Sequence, residues 1–140
     1  MSPGPAVATA TAFVWLGIVL AISFLEAPLK FHAPGVTLPL GLGIGRLVFG
    51  ALNRTEAALV VVLLAGVAGA APTQAVIVAA VPVVVLIAQL AAVRPRLTQR
   101  SDRILTGEKA PRSRAHLAYL VLETAKVLAL LAAGVLLLAT

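Results

Sequence analysis

The chain has 140 residues, of which 61% are hydrophobic and 11% charged, and its mean hydropathy is +1.07. A soluble domain carries roughly a quarter of its residues as Asp, Glu, Lys or Arg, so this composition is that of an integral membrane protein and leaves no length for a separate soluble catalytic domain. The net charge of +6 does not indicate nucleic acid, because no aromatic platform accompanies the arginines, and the absence of cysteine excludes disulfides, thiolate metal sites and cysteine nucleophiles.

A membrane span needs about 20 apolar residues, so four spans with short connections nearly fill the chain. The first apolar run, from about Val7 to Leu25, ends in Glu26-Ala27-Pro28-Leu29-Lys30, which predicts a helix over about 7–28. No Lys or Arg precedes the run, so it lacks the basic start of a secretory signal and reads as a retained helix. Glu26 and Lys30 have the i,i+4 spacing of a helix-end ion pair.

The following segment, HAPGVTLPLGLGIGRLVFGALNRTE at 32–56, contains Pro34, Pro39 and five glycines. This predicts an extra short interfacial or re-entrant helix at about 40–52 rather than a plain span. Its GLGIG stretch, residues 41–45, resembles half of a nucleotide fingerprint, but no strand precedes it and close helix packing explains the glycines better. Spans are expected at about 56–71 and 73–93, joined by a turn at Ala71-Pro72-Thr73, with Pro82 kinking the later one. The basic loop 94–114 then holds seven of the eleven Lys and Arg residues, and the last span covers 116–138. The fold class is therefore an all-α membrane protein built as a four-transmembrane-helix bundle. Gly66, Gly69 and Ala70 allow close helix approach, which predicts a homodimer with that face either inside the bundle or at the subunit contact.

Lys and Arg next to spans are retained on the cytoplasmic side. The loop 94–114 is therefore expected to be cytoplasmic and both termini external, in a multi-pass cell-membrane protein whose first partner is the lipid bilayer.

The segments EAPLKF, GIGRLVFGALNRTE, QLAAVRPRLTQRSD and RAHLAYLVLETAKVLALLAAG, in this order, resemble a widespread family of four-helix membrane proteins whose best-known animal relative is transmembrane protein 205. The resemblance runs from about Phe24 onward. It implies membrane location, a four-helix bundle and a link with metal-drug tolerance, and it matches the polar positions of the family's last helix to His116, Tyr119 and Glu123. The chain departs from the family in having Ala115 where Leu is usual, and in placing a carboxylate and a lysine on a helix that usually carries neutral polar groups.

That last helix raises the main functional question. His116, Tyr119, Glu123 and Lys126 follow one another at spacings of three, four and three, which puts them on one stripe of an α-helix. A charge near the bilayer centre costs at least about 2.5–3.5 kcal/mol, so Glu123 and Lys126 must face protein or water. In one reading they pair with each other, or with Gln89 of the third span, as structural glue; replacing both with Leu and Met is then tolerated. In the other, His116, Tyr119, Glu123, Lys126, Gln89, Arg46 and Glu26 form a polar cleft, open to the cytoplasm, for a small solute or ion. Arg46 is expected to meet Glu26 or Glu56, or to reach a lipid phosphate.

His32 and His116, the only histidines, both fall at the cytoplasmic interface and suit a bis-histidine haem or metal site. No Ser-His-Asp set, HExxH or paired-carboxylate motif supports hydrolysis. The expectation is a transporter or tolerance factor without enzymatic activity, cofactor or nucleic-acid partner. The alternatives are a haem- or quinone-binding electron-transfer subunit, or an accessory subunit of a larger membrane complex.

Overall fold

The computed structural model describes residues 2–69, 71–109 and 114–140, and among them there is no strand. Four helices are long and apolar enough to cross a membrane: α1 Pro3–His32, α2 Leu38–Val67, α3 Thr73–Leu105 and α4 Arg114–Leu138. The protein is a multi-pass membrane protein with a four-helix bundle. α1 packs along both α2 and α4, and α4 packs along α3, so α1 and α4 form the central pair. The α1–α2 and α3–α4 connections share one end, called here the basic end because most of the Lys and Arg residues cluster there. Apolar residues such as Leu47, Val61, Val84 and Leu128 point outward, as a lipid-facing surface requires.

The extra helix expected at 40–52 is not separate. Leu38–Val67 is one helix of 30 residues. Pro39 lies in its first turn, where the missing N–H removes no bond, and the Thr37 hydroxyl caps that turn by accepting from the Leu40 N–H at 3.3 Å. The glycines serve helix contact. A Cβ at Gly41 would overlap the Phe31 ring, and one at Gly45 would come within 3.2 Å of Lys30 Nζ, so the end of α1 lies directly on α2. Further along, a Cβ at Gly66 would stand 2.8 Å from the Gly4 carbonyl oxygen and 2.9 Å from the Ala8 nitrogen. Of the small residues expected to let helices approach, Gly66 is thus used inside the bundle. Gly69 turns the chain with a φ of +83°, while Ala70 lies outside the described residues.

The expected basic loop is also largely helical, since Arg94–Leu105 continues α3. Both α1 and α3 widen into π turns, at Leu20–Glu26 and Gln89–Val93, just ahead of Pro28 and Pro95. A proline ring crowds the carbonyl four residues back and offers no N–H; the wider turn accommodates both defects and lets the helix run on. The same turns bring the polar residues Ser23 and Gln89 into buried positions. Pro82 is buried within α3, which continues through it.

Candidate functional site

A buried ionic cluster joins all four helices. Lys126 Nζ on α4 donates to Glu56 Oε2 of α2 at 2.7 Å and lies 2.7 Å from Glu123 Oε1 of its own helix. The Trp15 indole N–H of α1 donates to the same Glu56 oxygen at 2.8 Å, and the Gln89 amide of α3 donates to Glu123 Oε1 at 2.8 Å. None of the five side chains is more than 1% exposed. From Val67 to Glu56 the helix rises about 17 Å, and from Leu138 to Lys126 about 18 Å, so the cluster lies near the middle of a hydrocarbon core of about 30 Å. Charges at that depth persist only when paired and hydrogen-bonded, and here each carboxylate receives one charged and one neutral donor. Glu123 Oε2, also buried, has no hydrogen-bond partner among the described residues.

The second feature is a cavity of about 880 Å³ at the basic end. It lies between the end of α1, the first half of α2, the Arg94–Ser101 stretch of α3 and the start of α4. Lys30, Arg46, Arg94 and Arg100 supply positive charge to its wall, and Phe24, Phe31, Leu42 and Leu120 supply apolar surface. The Arg94 guanidinium is wedged between two rings, 4.6 Å from the centre of Phe49 and 5.1 Å from that of Tyr119, and the two rings meet edge to face at 6.0 Å. Cation–π attraction holds the group, and its Nη2 donates to the Tyr119 hydroxyl at 3.3 Å. Lys30 pairs with Glu26 at 3.7 Å, and Arg46 pairs with Asp102.

The sequence-predicted residues therefore divide between two places. Glu123, Lys126 and Gln89 meet in the buried cluster. His116, Tyr119 and Arg46 line the cavity, as does His32, so the end of α1 and the start of α4 each bring one histidine to it. Glu26 does not line the cavity and reaches it only through Lys30. Arg46 meets neither Glu26 nor Glu56, because the helical extension of α3 brings Asp102 to it first. Sequence reasoning missed Glu56 and Trp15 as cluster members. It also missed Arg94, whose placement depends on α3 continuing past Pro95. Glu56 was legible as a charge at the edge of a span, but Trp15 in an apolar run carried no signal.

The Glu123–Lys126 couple is consequently a triad with Glu56. Exchanging only those two for Leu and Met leaves Glu56 buried without a cation. The exchange expected to be tolerated thus requires a third change.

No family model, curated protein or solved structure matches the chain. Fold and site together define a small four-helix multi-pass membrane protein with an ionic joint at mid-depth and a basic, aromatic-walled cavity at one end.

Proposed function

We propose that this protein is a small membrane transport or tolerance factor that takes up a solute in the cavity at its basic end, which faces the cytoplasm. The observation that carries the reading is the adjacency of cavity and cluster: Tyr119 lines the cavity, and Glu123, one helical turn further along α4, belongs to the cluster and has a buried oxygen without a hydrogen-bond partner among the described residues. The cavity volume falls within the range of about 300–1,000 Å³ typical of small-molecule sites, and the basic wall agrees with retention of Lys and Arg on the cytoplasmic side. The resemblance to the transmembrane protein 205 family supports tolerance as the outcome.

Moving a solute across requires an element with two discrete arrangements. Lys126 supplies one, because it is shared between Glu56 on α2 and Glu123 on its own helix. Releasing Glu56 frees α2 from α4 while the ammonium keeps one carboxylate.

The test compares cells expressing the protein with cells expressing Gly50→Leu at equal membrane level. Gly50 lines the cavity, and a Cβ there meets nothing within 4 Å, so a side chain can start from this position and add bulk to the cavity. Both are challenged with toxic metal cations, oxyanions and weak organic acids. Tolerance to at least one class, lost in Gly50→Leu, is the expected result; equal sensitivity throughout removes the reading in favour of an accessory role. The electron-transfer reading has one observation in its favour, that His32 and His116 both line the cavity. A Soret band in purified protein decides for it.

A further inference from the structure

We infer that the cavity at the basic end binds an amphiphilic anion, with a phosphate or carboxylate headgroup at Arg94 and an acyl chain running along the apolar wall into the bilayer. This rests on reading the cavity as the protein's binding site and names the ligand class; it does not depend on transport.

The first argument is charge. Among the described residues Lys30 and Arg46 each have a carboxylate partner, whereas Arg94 has none. Two aromatic faces hold its guanidinium but leave its charge uncompensated, and its Nε is buried without a hydrogen-bond partner. A guanidinium offers five donors in a planar fork matched to phosphate or carboxylate, and Arg94 uses one nitrogen on protein. A second donor on the same helix face is also unsatisfied. Arg94, Leu97, Thr98 and Ser101 recur at the spacing of one α-helical stripe and all line the cavity, and the Ser101 hydroxyl is buried without a hydrogen-bond partner among the described residues. Buried polar groups are rarely left unpaired, and two such donors on one cavity wall call for an acceptor-rich ligand. A metal cation or an uncharged solute leaves Arg94 uncompensated.

Depth makes the anion amphiphilic. From Thr73 to Arg94 the helix rises about 32 Å, and from Leu138 to Tyr119 about 29 Å, against a hydrocarbon core of about 30 Å. Arg94 therefore sits where hydrocarbon gives way to headgroups, and Ser101, about 10 Å further on, lies in the headgroup layer. The apolar wall continues onto the lipid-facing surface: Phe24 and Leu120 line the cavity, and the residues after them, Leu25 and Val121, are 58% and 60% exposed. An acyl chain can follow this wall without leaving the bilayer, while a basic pocket between helices at headgroup level recognises the anionic end.

The experiment uses the full chain in a non-ionic detergent and follows ligand retention by native mass spectrometry. The probes are phosphatidylglycerol, phosphatidylcholine and oleate. At least one anionic probe is expected to bind at roughly tenfold lower concentration than phosphatidylcholine. Arg94→Gln is expected to weaken anion binding by about 10- to 100-fold, the range for losing a hydrogen-bonded charge partner, with a smaller effect on phosphatidylcholine, whose phosphate is offset by its own ammonium. Gly50→Leu is expected to block the anions sterically, and it decides the matter if Arg94→Gln does not fold. Arg103→Gln is the control, since Arg103 is outside the cavity and pairs with Glu108.

Preference for phosphatidylglycerol identifies a bilayer lipid as the source, and preference for oleate identifies a free single-chain anion; both support the inference. Equal binding of all three probes, or anion binding indifferent to both cavity variants, overturns it. So does failure of every anion to bind. If no anion binds but Gly50→Leu still abolishes tolerance, the transport reading stands without this inference, and anion binding with no tolerance phenotype gives the converse.

Discussion

Lys126→Met is the sharpest test of the buried cluster. The substitution removes the only cation in contact with Glu56 and Glu123 among the described residues, 2.7 Å from an oxygen of each, and leaves them with the neutral donors of Trp15 and Gln89. Removing one partner of a buried ion pair costs about 3–5 kcal/mol, and here one cation serves two carboxylates, so the upper part of that range is expected. At about 3–5 °C of Tm per kcal/mol for a chain of this size, the thermal midpoint in mild detergent should fall by about 12–25 °C. The double change Glu123→Leu with Lys126→Met should not rescue it, because Glu56 stays ionisable and buried. Adding Glu56→Gln removes the last charge and keeps an acceptor for the Trp15 N–H. This triple variant should recover most of the loss, short of about 1–3 kcal/mol for the Gln89 amide left unpaired. Monodispersity in detergent and the thermal midpoint are the measurements. A Lys126→Met midpoint within about 2 °C of the parent, or a triple variant no more stable than the double, would refute the view that charge compensation across the four helices holds this joint.

Gly66→Ala should lower the midpoint by about 1–3 kcal/mol equivalent through overpacking, because its Cβ meets the Gly4 and Ala8 backbone below 3 Å; Gly17→Ala, where nothing lies within 4 Å, should be neutral or stabilising by up to about 1 kcal/mol. Asp102→Asn breaks the Arg46 pair at the basic end, but both partners are well exposed, so denaturation should change by less than about 1 kcal/mol. For topology, cysteines placed singly at the exposed positions Ser2 and Gln99 in this cysteine-free chain should react with an impermeant maleimide from opposite sides of the membrane, Gln99 from the cytoplasmic side; the swapped pattern would reverse the placement of the basic end, and reaction of both from the same side would refute the four-span arrangement.

Some of this structure was already determined by local sequence. Composition and run length dictate four apolar helices, because an unpaired backbone cannot cross hydrocarbon in any other single-chain form short of a closed barrel. The spacing of His116, Tyr119, Glu123 and Lys126 dictates a polar stripe facing inward, because 3.6 residues per turn and the cost of charge in lipid leave no alternative. Helix continuity was not determined there, because its signals point both ways. Thr37 and Pro39 mark a helix start as readily as a break, and Pro28 and Pro95 end an α-helix unless a wider turn absorbs them. Which outcome holds depends on contacts beyond the segment: Phe31 seated on Gly41, and α3 extended until Asp102 meets Arg46. Only the tertiary structure decided partners. Lys126 finds Glu56 across 70 positions of chain, and Trp15 becomes a hydrogen-bond donor instead of mere apolar bulk. Arg94 meets the Phe49 and Tyr119 rings rather than a carboxylate among the described residues. A residue's helical face is a local property read from periodicity, whereas the residue opposite it is fixed by how helices cross, and that is a property of the whole packed bundle.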